Sequence, residues 1–181
     1  MLVAWVKFFR SHGFLAGVLA CSLCAPGLVQ SNESSDRGLS GETYVALTHV
    51  VDTQARLVFY WPKDLPGTLA GTILVNGVHH ATLSSGGYSL LCLAPAAMTL
   101  GIRHVVGGDR DKNEANTNHQ VDLQPGQTLY WRVWSPTDTV LKFETVPAAL
   151  ALQELSKTRE QSHTISRVRT AQTCQDFGPR S

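Results

Sequence analysis

The chain of 181 residues has no marked excess of charge: 15 Lys and Arg stand against 14 Asp and Glu, a formal net charge of +1, and they are spread along its length. A surface built to neutralise phosphates needs a basic run or face, so nucleic acid is not an expected partner. Also missing are G-x-S-x-G, G-x-G-x-x-G and G-x-x-x-x-G-K-S/T. Without a nucleophile elbow or a phosphate-cradling loop, neither a hydrolase triad nor a dinucleotide or nucleotide cofactor has a basis in the sequence, and no cofactor or enzymatic activity is expected. Long apolar runs are lacking too. The best candidate, Gly13 to Val29, is shorter than the ~20 residues of a membrane-crossing helix, and Gly17, Pro26 and Gly27 interrupt it. Cysteine is sparse, with only Cys21, Cys24, Cys92 and Cys174. At this length one ordinary domain buries a core without dense disulfide support.

What is present begins with the N-terminus, where Lys7 and Arg10 precede the uncharged stretch containing FLAGVLACSLCA. A basic n-region followed by a short h-region reads as a signal segment, here 1–31, and places the remainder outside the cytosol. Two cleavage sites compete. Val29-Gln30-Ser31 puts small side chains where a signal peptidase looks, whereas Val18-Leu19-Ala20-Cys21 has the outline of a lipobox, with Leu19 a departure from the usual pattern. Processing after Ser31 leaves Cys92 and Cys174 as an even pair in an oxidising compartment, a predicted disulfide. Processing before Cys21 instead makes Cys21 a lipidation site and a membrane anchor, with Cys24 left unpaired beside it. The expected location is periplasmic or associated with the outer membrane.

Residues 32–43, NESSDRGLSGET, are small and polar and predict a flexible lead-in. Beyond them, short runs of Val, Leu, Ile, Thr and aromatics alternate with Gly, Pro, Asn and Asp clusters, the pattern of an antiparallel β-sandwich over 44–146. Strands are expected near 44–51, 56–61, 71–75, 78–83, 88–93, 98–106, 119–123, 128–134 and 139–145. Asn76-Gly77 supplies the two positive-φ positions of a type I′ hairpin turn, and Pro125-Gly126 the centre of a type II turn. Pro147 then opens PAALALQELSKTREQS, the one C-terminal helix expected, with Ala148, Leu152 and Leu155 on its buried stripe. The tail to residue 181 packs on the same domain, with an edge strand expected at 164–169.

From Ala55 to Trp134 the order of motifs resembles the small extracytoplasmic β-sandwich domains grouped with PEGA-like and lipoprotein families. An aromatic strand Leu57-Val58-Phe59-Tyr60 is followed by I-x-V-N-G at Ile73 to Gly77, G-G-Y at Gly86 to Tyr88, an apolar strand ending at Pro95, and L-Q-P-G-Q-T-L-Y at Leu123 to Tyr130. Trp61, and Ala96 after Pro95, depart from that pattern. The resemblance implies a non-catalytic surface module and transfers no functional residues.

Three constellations bear on function. Tyr60, Tyr130, Arg132 and Trp134 lie on two strands that pair if neighbouring, and facing solvent they would form an amphipathic face for another envelope protein. The competing expectation has Phe59, Trp61 and Trp131 in the core and the other aromatics beneath a helix or the tail. His104 and His119 flank the loop containing the acidic stretch 109–114, and their pairing would bring them together, with Asp122, as the start of a metal site or a hydrolytic centre. That loop opens like a calcium loop, but Glu114 stands where the sharp turn needs Gly and Gln120 where a bidentate Glu belongs, so no metal is expected there. His79 and His80, adjacent on one strand, point to opposite faces and cannot both ligate one ion.

Overall fold

Runs of β-branched and aromatic residues become strands because their stiff side chains pack well on a pleated surface. In the computed structural model, residues 41–67, 70–104, 117–137, 140–162 and 165–176 are described, all within one unit from Glu33 to Ser181. The expected signal segment 1–31 with Cys21, most of the lead-in 32–43 and the acidic loop 109–114 lie outside the described residues.

The chain is mainly β. In order come β1 (Ala55–Tyr60), β2 (Gly71–Val75), β3 (Val78–Leu83), β4 (Gly87–Leu93), β5 (Ala97–His104), β6 (Thr117–Asp122), β7 (Thr128–Thr137), β8 (Val140–Val146), α1 (Ala148–Leu155) and β9 (Arg159–Glu160). One sheet has the order β8-β7-β1-β4-β9 and the other β3-β2-β5-β6. Most pairs are antiparallel, but β1 runs parallel to β7 and β4 parallel to β9. The sheets stack through Leu57, Phe59, Leu91, Trp131, Val133 and Phe143 from the first and Ile73, Val75, Leu83, Leu100 and Ile102 from the second, all buried. Each such side chain contributes on the order of 1.5–3 kcal/mol on leaving water. The result is the expected sandwich with one C-terminal helix.

β1 is buried along its whole length. Its odd positions face the second sheet, while Val58 and Tyr60 face the other way and join Tyr44, Tyr88, Ala151 and Leu155 in a second apolar cluster. The first sheet is thus covered on both faces.

Local turns follow the sequence closely. Asn76 has φ 49° and Gly77 φ 75°, and Gly126 has φ 68°. Nothing stands within 4 Å of where a Cβ on Gly77 would lie. Gly77→Ala therefore carries only the left-handed backbone penalty, a loss of about 1 kcal/mol in unfolding free energy, to be read as a shifted urea midpoint with unchanged slope.

Three expectations are corrected. Residues 44–51 form no strand: Thr43 and Val50 make isolated bridges to Arg159 and Asp176, and Tyr44 N donates to Thr158 O at 3.1 Å. Val45 is 71% exposed between a buried Tyr44 and the rest of the segment, which lies as a cover on the sheet rather than in it. The edge strand expected at 164–169 is replaced by β9. The helix stops at Leu155, because Thr158 returns both its N–H (2.8 Å) and its hydroxyl (2.7 Å) to Leu155 O and turns the chain into β9. Its buried side chains are Ala151 and Leu155, at i and i+4, while Leu152 is exposed.

Candidate interaction site

The parallel pairing of β1 and β7 sets Tyr60 beside Arg132 and Val58 beside Tyr130, so the strands carrying the aromatic residues are neighbours. Pairing of β7 with β8 adds Glu144 opposite Arg132 and Lys142 opposite Trp134. Alternation then gathers Tyr60, Tyr130, Arg132, Trp134 and Glu144 on the outer face of the first sheet.

This face is not open to solvent where Tyr60 sits, which corrects the reading of Tyr60 as a solvent-facing contact. Tyr60 is fully buried, because α1 lays Ala151 and Leu155 over it. Tyr130, Arg132 and Trp134 are half-buried at the margin of the helix. Phe59, Trp61 and Trp131 are core residues, as the competing expectation held.

The polar tips of this face are joined to one another. Tyr60 Oη donates to Glu154 Oε2 at 2.6 Å, and Arg132 Nη1 donates to Glu154 Oε1 at 2.7 Å. Arg132 also reaches Glu144 Oε1 through Nη2 (2.8 Å) and Nε (3.2 Å), and Trp134 Nε1 donates to the same oxygen at 3.3 Å. Burial, then the bond to Glu154, pushes the Tyr60 phenol well above its usual range. Desolvation pulls the Arg132 guanidinium down, but its bonds to Glu144 and Glu154 outweigh it and raise it. The Arg132 hydrogen bond holds the Glu144 carboxyl below the usual range. A phenol kept protonated between paired charges is a strut, and this one fastens α1 to the sheet. Tyr60→Phe leaves Glu154 with Arg132 alone and should cost about 1.5 kcal/mol, the net worth of a hydrogen bond to a charged group. Hydrogen exchange is the check: amides of α1 should exchange faster while those of β2 and β5 do not.

The histidine reading is corrected by the register. His119 on β6 stands opposite Leu100 on β5, so His104 lies four positions further along β5 and the two are not cross-strand partners. The His119 ring packs against Trp131 (5.1 Å between centroids) and Phe143 (5.7 Å). Asp122 pairs with Ala97 at the far end of β6. Among the described residues, no three His, Cys, Asp or Glu side chains gather as they would around a metal.

Two groups hold more than the sequence suggests: His80 is read there only as unable to share an ion with His79, and the second group is not singled out. His80 is 4% exposed, with Nε2 3.1 Å from Ser89 Oγ and Nδ1 3.1 Å from Ser166 Oγ, and its ring lies 5.4 Å from Phe59. A bulge puts it there: Leu74 pairs with His79 and Ile73 with Ala81, leaving His80 as the additional residue. Burial, with His79 adding to it, lowers its pKa from 6.5 to about 4.

The second group is Gln54 with Arg56, 3% and 1% exposed. Arg56 interrupts the apolar strand Ala55–Tyr60, and that lone cation was the available signal. Its Nη1 donates to Thr48 O at 2.8 Å, and Nη2 pairs with the Asp176 carboxylate. Burial lowers the Arg56 pKa from its ordinary value. Beside them, Cys92 and Cys174 form the expected disulfide.

No protein family, curated protein or solved structure matches the chain.

Proposed function

We propose that the protein is an exported cell-envelope module without catalytic activity, which docks another envelope protein along an exposed sheet edge. In this reading residues 1–31 are a removed signal segment, or Cys21 is acylated and anchors the chain, and the body is a sandwich akin to PEGA-like domains. An aromatic face already occupied by α1 turns attention to the edges. On β3 the tail intervenes, with Arg167 N donating to His79 O at 2.9 Å, and β9 is only two residues long. On β8, Lys142 and Glu144 are exposed charges of the kind that discourage strand pairing.

Edge strand β6 carries the reading. Its six residues alternate between half-buried and exposed, no strand lies beyond it among the described residues, and it is uncharged up to Asp122. Such an edge offers main-chain groups to an added strand, with the flanking side chains supplying selectivity. A photo-crosslinking residue at Asn118 or Gln120, in protein expressed in its native cells, should give one discrete adduct from the envelope fraction, and the same residue at Lys142 should give none. Equal adducts from all three positions, or none from β6, would overturn the proposal.

A further inference from the structure

Gln54 and Arg56 are buried polar side chains whose partners come largely from a distant and exposed part of the chain, residues 172–176. The Gln54 carboxamide works in both senses: Nε2 donates to Thr173 O at 3.0 Å and to Gln172 Oε1 at 2.9 Å, and Oε1 accepts from Gln175 N at 2.9 Å. Val51 N donates to Gln175 O at 3.0 Å, and Gln172 N donates to Cys92 O at 2.9 Å. Arg56 then receives the Asp176 carboxylate. The segment is therefore held mainly by its main chain, with the Gln172 carboxamide and one carboxylate adding side-chain contacts.

That division of burial is the one found between a receptor and a peptide. Gln172, Thr173, Gln175 and Asp176 are exposed, while the groups that hold them are almost fully enclosed. A piece of core would show the reverse. Main-chain recognition does not depend on side-chain identity, and a guanidinium deprived of water needs an anion whichever segment supplies it. Beyond the chain's own continuity through residue 171, the Cys92–Cys174 bridge is the covalent link that commits this occupant to the groove.

We propose that this groove is a receptor for an extended peptide segment bearing an acidic side chain, filled in cis by residues 172–176 and latched by the disulfide. A dithiol reductant opens it. One of its thiolates attacks a bridge sulfur and forms a mixed disulfide, releasing the other cysteine as a thiolate. The second thiol of the reductant then resolves the mixed disulfide. Cys92 and Cys174 end as thiols and the reductant as a disulfide, with two electrons and two protons transferred. Freed of its latch, the tail is held only by its tether and its non-covalent contacts, and an acidic segment of another molecule can displace it from Gln54 and Arg56 once its concentration rivals the effective concentration of the tethered tail. This inference is independent of edge docking through β6.

The test uses the full chain carrying Cys92→Ser, Cys174→Ser and Asp176→Asn, which weakens the cis occupant without touching Gln54 or Arg56. The probe is a fluorescein-labelled synthetic peptide with the sequence of residues 170–176, serine replacing its cysteine. Fluorescence anisotropy should show saturable binding to the triple variant and at least about tenfold weaker binding to the oxidised wild type. The same peptide with Asn in place of its acidic residue should bind at least about tenfold more weakly, the loss expected when a buried charge-assisted contact is removed. Hydrogen exchange across β1 and β4 reports whether the variant keeps its sheet. If it does not, wild type in excess dithiothreitol takes its place with the same expectations. Absence of binding to the folded form so chosen, or binding indifferent to the acidic residue, would overturn the proposal.

Discussion

Replacing Cys92 and Cys174 together with alanine should lower the unfolding free energy by about 4.5 kcal/mol, the chain-entropy estimate for a bridge whose cysteines are separated by 82 residues. The bridge joins β4 to a tail that otherwise docks through hydrogen bonds to Gln54, Val51 and Cys92 and one ion pair to Arg56, so its loss acts on both ends of the equilibrium. The unfolded chain regains the freedom of a long loop. In the folded chain, Asp176 is held against the buried Arg56 by non-covalent contacts alone, so the pair is open more of the time. Comparison of urea midpoints for wild type and the double variant, both oxidised and in excess reductant, measures the effect. Reductant should destabilise the wild type by about the same amount and leave the variant unmoved. A shift near zero would mean that the tail contributes nothing to the closed sandwich.

Acid should weaken the fold through His80. Burial lowers its pKa from 6.5 to about 4, so the unfolded chain takes up a proton at this residue at a pH where the folded chain does not. Stability is therefore fully present above pH 6.5, falls as pH drops from 6.5 towards 4, and loses nothing further from this group below that. The shift corresponds to roughly 3 kcal/mol at 1.36 kcal/mol per pKa unit. His80→Gln keeps a donor and an acceptor between Ser89 and Ser166 but does not titrate. Chemical denaturation at a series of pH values between 7.5 and 4 should give a steep profile for the wild type and a markedly flatter one for His80→Gln. Parallel profiles would remove His80 as the cause.

The features that could be read from the sequence are those set by neighbouring residues. Asn76-Gly77 and Pro125-Gly126 dictate turns through their own backbone preferences, and the strands around them follow. The Cys92–Cys174 pairing was legible as the even pair left once residues 1–31 are set aside. What escaped was long-range. Nothing local announces that β1 and β7 run parallel, since strands more than sixty positions apart are brought together only by the packing of both sheets. The bulge that turns His80 inward depends on a register fixed by Ile73 and Leu74 across the hairpin, so alternation counted along β3 alone misplaces it. The segment 44–51 has strand-like composition because Tyr44, Leu47 and Val50 bury side chains, yet its backbone pairs only in passing. At the candidate face the strands were identified correctly, but whether Tyr60 met solvent or α1 turned on the helix stripe. Ala151 rather than Leu152 faces inward there, a shift of one position that alternation and propensity do not resolve.

The proposed role in the cell envelope requires export, and intact-mass analysis of the protein from fractionated native cells tests it most directly. Prepared without reductant, the envelope-derived chain should lack residues 1–31, or begin at an acylated Cys21, and in either form should weigh two hydrogens less than after reduction. A chain of all 181 residues recovered from the cytosol with every thiol reactive would contradict the account.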